Sequence, residues 1–145
     1  MDIIVTGAGR GIGFELVKKF AADMSNTVYA FSRNTTQIKN LKKSNVKVYS
    51  IDFLSENFNE KVNEALSDTS NIDIIINNAG FLVNKPFKEI SDNDIQQSYQ
   101  VNVFAPFFII QKALPLMKKE SHIINISSMG GFQGSAKFPG LSAYS

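Results

Sequence analysis

The 145-residue chain carries 15 Lys and Arg against 13 Asp and Glu, and a net charge of +2 gives no general attraction to nucleic acid or an anionic membrane. Cysteine is absent, which excludes disulfides and thiolate metal sites, and the 43% of hydrophobic residues is ordinary for a globular protein. The longest apolar run, Val103 to Ile110, is far short of the roughly 18–20 residues of a membrane span, and no basic segment precedes a signal-like stretch; a soluble, cytoplasmic protein of one domain, residues 1–145, is expected.

Short β-rich runs alternate with helical segments. Ile3-Ile4-Val5 runs into a glycine-rich turn. Phe14 to Met24 then reads as a helix, with Phe14, Leu16, Val17, Phe20 and Ala21 on one face. Thr27–Phe31 is a second buried strand, Gln37–Lys43 a short helix, and Val46–Ile51 a third strand ended by Asp52. Ser55–Leu66 is helical, with Ser55 or Asn57 as its cap. Ile72–Asn77 is a fourth strand. Ser91 caps a helix whose first turn holds Asp92 and Asp94, acids that suit a positive helix end. A Phe-rich helix is expected from about Asn102 to Lys119, and a fifth strand over Ile123–Ser127. The lysines at 18, 19, 42, 43, 118 and 119 fall near expected helix ends. Strands apolar on both faces and separated by helices belong to a parallel sheet covered on both sides.

The turn after the first strand is Thr6-Gly7-Ala8-Gly9-Arg10-Gly11-Ile12-Gly13. Backbone N–H groups and a helix N-terminus there make an anion site, and glycines let a pyrophosphate approach closely. The common dinucleotide spacing would need glycine where Ile12 stands, and a Walker loop would need Lys-Ser/Thr where Phe14-Glu15 stands. Glycines that merely permit a tight turn and close helix packing are the alternative. NAD-binding folds place an acid at the end of the second strand to bind the ribose 2′-hydroxyl. Here that strand ends Phe31-Ser32-Arg33-Asn34, with an arginine and no carboxylate, and Arg10 lies in the loop itself. Two guanidiniums suit a 2′-phosphate, which favours NADP(H) over NAD(H).

These motifs, with Asn77-Asn78-Ala79-Gly80, Ser127-Ser128 and Tyr144 in the same order and spacing, resemble the short-chain dehydrogenase/reductase family along the whole chain. The resemblance implies a Rossmann-type doubly wound parallel sheet of order 3-2-1-4-5-6-7, here lacking strands 6 and 7. It implies that Gly7, Gly9, Arg10, Gly11, Ile12 and Gly13 line the phosphates, with Ser32 and Arg33 at the ribose. Asp52 and Phe53 would contact the adenine, and Asn78, Ala79 and Gly80 would pass beside the adenosine ribose.

Asn102, Ser128 and Tyr144 would be catalytic, acting in hydride transfer between a nicotinamide and a carbonyl or alcohol substrate. A tyrosine hydroxyl can donate the proton and a serine hydroxyl can hold the oxygen. Ser127 competes for the serine role, but Ser128 stands just past the strand. A helix-start cap is the alternative for Asn102, and Asn77 is expected to pin strand-end backbone. His122 has no partner at metal-ligand spacing, so no metal site is expected. In this family a lysine four residues after the tyrosine lowers its pKa, and that position lies past Ser145. Little or no turnover is therefore expected of residues 1–145 alone. The long helix is expected to pack on its copy in a homo-dimer or tetramer. A non-catalytic nucleotide-binding or assembly module derived from such an enzyme is the other class open.

Overall fold

The computed structural model describes residues 1–128. Five strands form one parallel sheet: β1 (Asp2–Thr6), β2 (Thr27–Ser32), β3 (Val46–Ser50), β4 (Ile72–Asn77) and β5 (Met117–Asn125), in the spatial order β3-β2-β1-β4-β5. The chain builds outward from β1 through β2 to β3, then returns to β4 on the other side. The register is continuous at the centre, with Ile3 beside Val28 and Ile74, and Val5 beside Ala30 and Ile76.

Helices cover both faces: α1 (Gly11–Phe20), α2 (Thr36–Asn40), α3 (Phe58–Ser67), α4 (Asp92–Tyr99) and α5 (Ala105–Ala113). Successive strand residues point to opposite faces, so the all-apolar strands feed two cores. Ile3, Val5, Val28 and Ala30 pack with Val17 and Ala21 of the α1 segment and Ile38 of α2. Ile4, Tyr29, Phe31 and Ile75 pack with Val62 of α3 and Ile109 of α5. Phe58 and Phe108 lock α3 against α5, with ring centroids 6.2 Å apart.

Several boundaries differ from expectation for local reasons. Helix α1 starts at Gly11 and ends at Phe20, where the chain turns tightly so that Asn26 can donate from its side chain to the Phe20 carbonyl. Helix α2 is shorter than expected, Thr36–Asn40, and Lys42 takes a left-handed φ of 48°. At the start of α3 neither Ser55 nor Asn57 caps with its side chain; the Ser55 hydroxyl donates instead to the Asp52 carbonyl at 2.7 Å. Ser91 does cap α4. Its hydroxyl oxygen accepts from the Asp94 amide, while the Asp94 carboxylate accepts from the Ser91 amide.

The largest difference follows α4. Helical structure runs on without a break through a π turn, Gln100–Phe104, into α5 and a 3₁₀ turn at Leu114–Leu116. Asn102 therefore lies inside a helical run and is not a helix-start cap. Helix gives way to strand at Met117, so Lys118 and Lys119 are exposed strand residues. The extra strand residues are taken up by an irregularity: Ile72 pairs Met117, whereas Ile74 pairs His122.

Candidate nucleotide cleft

The reversal of strand order between β1 and β4 opens a crevice at the C-terminal ends of the strands, the place where doubly wound sheets bind ligands. A cleft of about 680 Å³ lies there. It is walled by the turn after β1, the ends of β2 and β3, the segment after β4, and Val101 of the π turn.

The first wall is the glycine turn. Gly7 has φ +64°, and a Cβ on it would stand 2.8 Å from the Ala79 Cα. Gly7, Gly9, Arg10, Gly11 and Ile12 all face the cleft, with Ile12 at 61% exposure despite its apolar side chain. Gly13 does not face it. It is buried, and a Cβ there would meet the Gly7 carbonyl oxygen and the Asn78 side-chain nitrogen. Its task is to let α1 sit against the turn.

The second wall is the end of β2. Ser32 and Arg33 line the cleft, joined by Asn34 and Gln37, which the sequence reading did not single out. The Ser32 hydroxyl donates to the Asn34 carbonyl at 2.9 Å, so in this geometry it offers lone pairs to a ligand and no proton. Arg10 and Arg33 are exposed, and among the described residues neither guanidinium has a carboxylate partner. At the end of β3, Asp52 and Phe53 line the cleft. One Asp52 oxygen, Oδ1, accepts from the Leu54 amide at 3.1 Å. Its Oδ2 has no partner among the described residues and can accept from an exocyclic amino group.

The segment after β4 is fastened to the glycine turn by side chains. Thr6, 1% exposed, accepts at its hydroxyl oxygen from the Asn78 and Ala79 amides, each at 3.0 Å. The Asn78 side chain donates to the carbonyls of Thr6 and Gly7, at 3.0 and 3.3 Å. Asn78, Ala79 and Gly80 thus line the cleft, with Asn78 also serving as the pin. Asn77 was expected to hold backbone, but its side-chain nitrogen donates to Asn125 Oδ1 at 2.8 Å, joining β4 to β5.

Asn102 does not line the cleft; it holds a wall. Its Oδ1 accepts from the Phe81 amide at 2.8 Å and its Nδ2 donates to the Phe81 carbonyl at 3.0 Å. Beyond β5, the Ile126 amide donates to the Asn77 carbonyl at 2.8 Å, so Ser127 and Ser128 emerge beside the segment after β4. Ser128 is exposed. Tyr144 lies outside the described residues. No group of three or more His, Cys, Asp or Glu side chains among the described residues could hold a metal ion. No described helix is long and apolar enough to cross a membrane.

A parallel sheet with a glycine turn, an open crevice at its switch point and side-chain pins on both sides defines a nucleotide-binding α/β fold. Residues 2–145 match the family model described as short chain dehydrogenase, and the chain belongs to that family. It is 34% identical to the L-2,3-butanediol dehydrogenase of Corynebacterium glutamicum, over 98% of this chain and 58% of the relative. It resembles the NADPH-bound carbonyl reductase from chicken fatty liver with a TM-score of 0.83 at 24% identity, over 99% of this chain and 66% of that one. The 3-ketoacyl-(acyl-carrier-protein) reductase from Brucella melitensis, complexed with NADH, gives a TM-score of 0.83 at 23% identity, over 99% and 62%. At these identities the two structures speak for the fold alone. The chain spans less than two thirds of the length of each of these three proteins.

Proposed function

We propose that this chain supplies the cofactor-binding part of an NADP(H)-dependent oxidoreductase that interconverts a carbonyl compound and an alcohol. Arg10 and Arg33 carry the cofactor choice: two exposed guanidiniums beside one cleft, with no acid at the end of β2. Neither is spent on an ion pair among the described residues, so both are available to a 2′-phosphate. Gly7, Gly9 and Gly11 line the cleft just ahead of the N-terminus of α1, an arrangement that suits a pyrophosphate. The open oxygen of Asp52 suits an adenine amino group.

When bound, the nicotinamide cofactor supplies the hydride. The protein's part is to orient, exclude and move one proton. Asn102 fixes the Phe81 backbone and with it one wall of the cleft. Ser128, beside the segment after β4, is the group we assign to holding the substrate oxygen, and Tyr144 the group we assign to donating its proton. Because this chain spans 58% of the length of the butanediol dehydrogenase, we expect residues 1–145 alone to bind the adenosine half weakly and to turn over little. A cytoplasmic enzyme assembled as a homo-oligomer is the remaining part of the proposal. The exposed apolar face of Val103, Phe104 and Phe107, with Tyr99 one turn earlier, supports self-association.

Titrating NADPH and NADH against the chain, followed by fluorescence or calorimetry, tests the proposal. Tighter binding of NADPH is expected. A preference for NADH would overturn the roles given to Arg10 and Arg33.

A further inference from the structure

The π turn at Gln100–Phe104 touches three things at once. Val101 lines the cleft, Asn102 grips Phe81, and the Gln100 side chain donates from Nε2 to the Phe53 carbonyl at 3.1 Å. Phe53 is the cleft residue next to Asp52, and it shares an apolar core with Val101, against which Phe81 packs. Gln100 and Phe53 lie 47 residues apart in sequence, so this bond adds a directional link to that apolar contact between the segment after β3 and the π turn.

A π turn carries one residue more than an α turn, and its wide ring is a poorer hydrogen-bonded unit. The Ala105 amide reaches back to the Gln100 carbonyl, closing that ring. The inserted residue also sets the direction of every side chain in the turn, because each residue turns about 100° around a helix axis. A turn of this kind keeps its form through anchors outside the helix. Here the outside anchors are Gln100 at its first residue and Asn102 in its middle.

We propose that Gln100 is a positioning residue that couples the adenine side of the cleft to the Asn102 turn. A ligand that settles on Asp52 and Phe53 fixes the Phe53 carbonyl, which fixes the Gln100 side chain and narrows the motion of the turn holding Asn102. Gln100 need not touch the ligand; it acts through Phe53 on one side and the π turn on the other. The coupling rests on the proposed cofactor reading.

The test is amide hydrogen exchange on the 145-residue chain with saturating 2′,5′-ADP, a probe of the adenosine half that carries no nicotinamide. Two variants accompany it: Gln100→Met, of similar length without a donor, and Gln100→Glu, of the same shape with acceptors only. In the unaltered chain the probe should slow exchange in residues 52–54 and also in residues 101–105. In either folded variant the slowing at 52–54 should persist, while that at 101–105 drops by about threefold or more, in the manner of coupling through local ordering. A merely structural Gln100 would alter exchange at 101–105 equally with and without the probe, and that result overturns the proposal. Slowing confined to 52–54 in the unaltered chain also overturns it and leaves the cofactor reading standing. No slowing anywhere defeats the cofactor reading itself and takes the coupling with it.

Discussion

Asn102 holds the backbone of Phe81 by both of its side-chain groups, accepting from the amide at 2.8 Å and donating to the carbonyl at 3.0 Å. One carboxamide so completes the hydrogen bonding of a residue that belongs to no strand or helix. Thr6 and Asn78 do the same on the other side of the cleft. The segment from Asn78 to Phe81 is therefore suspended between two pins, one from the end of β1 and one from the π turn.

Removing the second pin should loosen that wall. Asn102→Ala leaves the Phe81 amide and carbonyl without their partners, and an unsatisfied, part-buried polar group costs about 1–3 kcal/mol. Urea denaturation should show a loss in that range. Asn102→Asp keeps an acceptor for the Phe81 amide and sets a carboxylate against the Phe81 carbonyl, so it should not restore stability at neutral pH.

The first pin is tested by Thr6→Val, which keeps the shape and β-branching of the side chain. Both the Asn78 and Ala79 amides lose their acceptor, and with two part-buried groups left unmet in each variant the loss should match that of Asn102→Ala, about 1–3 kcal/mol. Equal stability of the Val variant and the unaltered chain would show that water satisfies these amides and that Thr6 pins nothing.

What the sequence disclosed and what it hid follow the range of each interaction. The glycine turn and the Ser91 cap of α4 were legible because their partners lie within a few residues, although the return bond from the Ser91 amide to the Asp94 carboxylate was not read. The five parallel strands were legible from their short, mainly apolar runs, β5 only in its second half. The roles of Thr6 and Gln100 were not, because their partners sit 72 or 73 and 47 residues away. The π turn leaves no mark in the apolar pattern, so Asn102 read as a helix start. The first half of β5 is Lys118-Lys119-Glu120, exposed on the outermost described strand, and a polar strand of that kind reads as the end of a helix.

Gly13→Ala sets two magnitudes against each other. Alanine in a helix is favoured over glycine by about 1 kcal/mol. The added methyl group would meet the Gly7 carbonyl oxygen and the Asn78 side chain, which is itself held by the Thr6 and Gly7 carbonyls. Neither neighbour can swing away, and overpacking of this kind costs about 1–3 kcal/mol. The clash should win, so a lower thermal midpoint is expected; an unchanged or raised midpoint would show that α1 shifts freely.

The capping box of α4 should show in acid. Lys85, whose ammonium lies 2.7 Å from Asp94 Oδ2, and then Ser91 hold the Asp94 carboxyl down at about 2. A carboxylate with a lowered pKa stabilises the fold above its unfolded value near 4, and the contribution fades as pH falls toward the folded value. The stability gap between the unaltered chain and Asp94→Asn should be constant from pH 5 to 7 and close between about pH 4 and 2. A gap that persists at pH 2, or that narrows first near neutrality, would assign the effect to another group.

Arg33→Ala separates the two cofactors. A charge-assisted bond to a phosphate is worth about 1.5–3 kcal/mol, roughly 10- to 150-fold in affinity. NADPH binding should weaken by that factor while NADH binding changes little, because only the first carries a 2′-phosphate. Arg33→Asp should go further, repelling the 2′-phosphate and offering the ribose hydroxyl an acceptor, so that NADH becomes the tighter ligand. Arg10→Ala should give a smaller loss for NADPH if the two guanidiniums share the phosphate. Equal losses for NADPH and NADH in Arg33→Ala would place this arginine at the pyrophosphate, which both cofactors carry, and the preference would then have to come from elsewhere in the cleft.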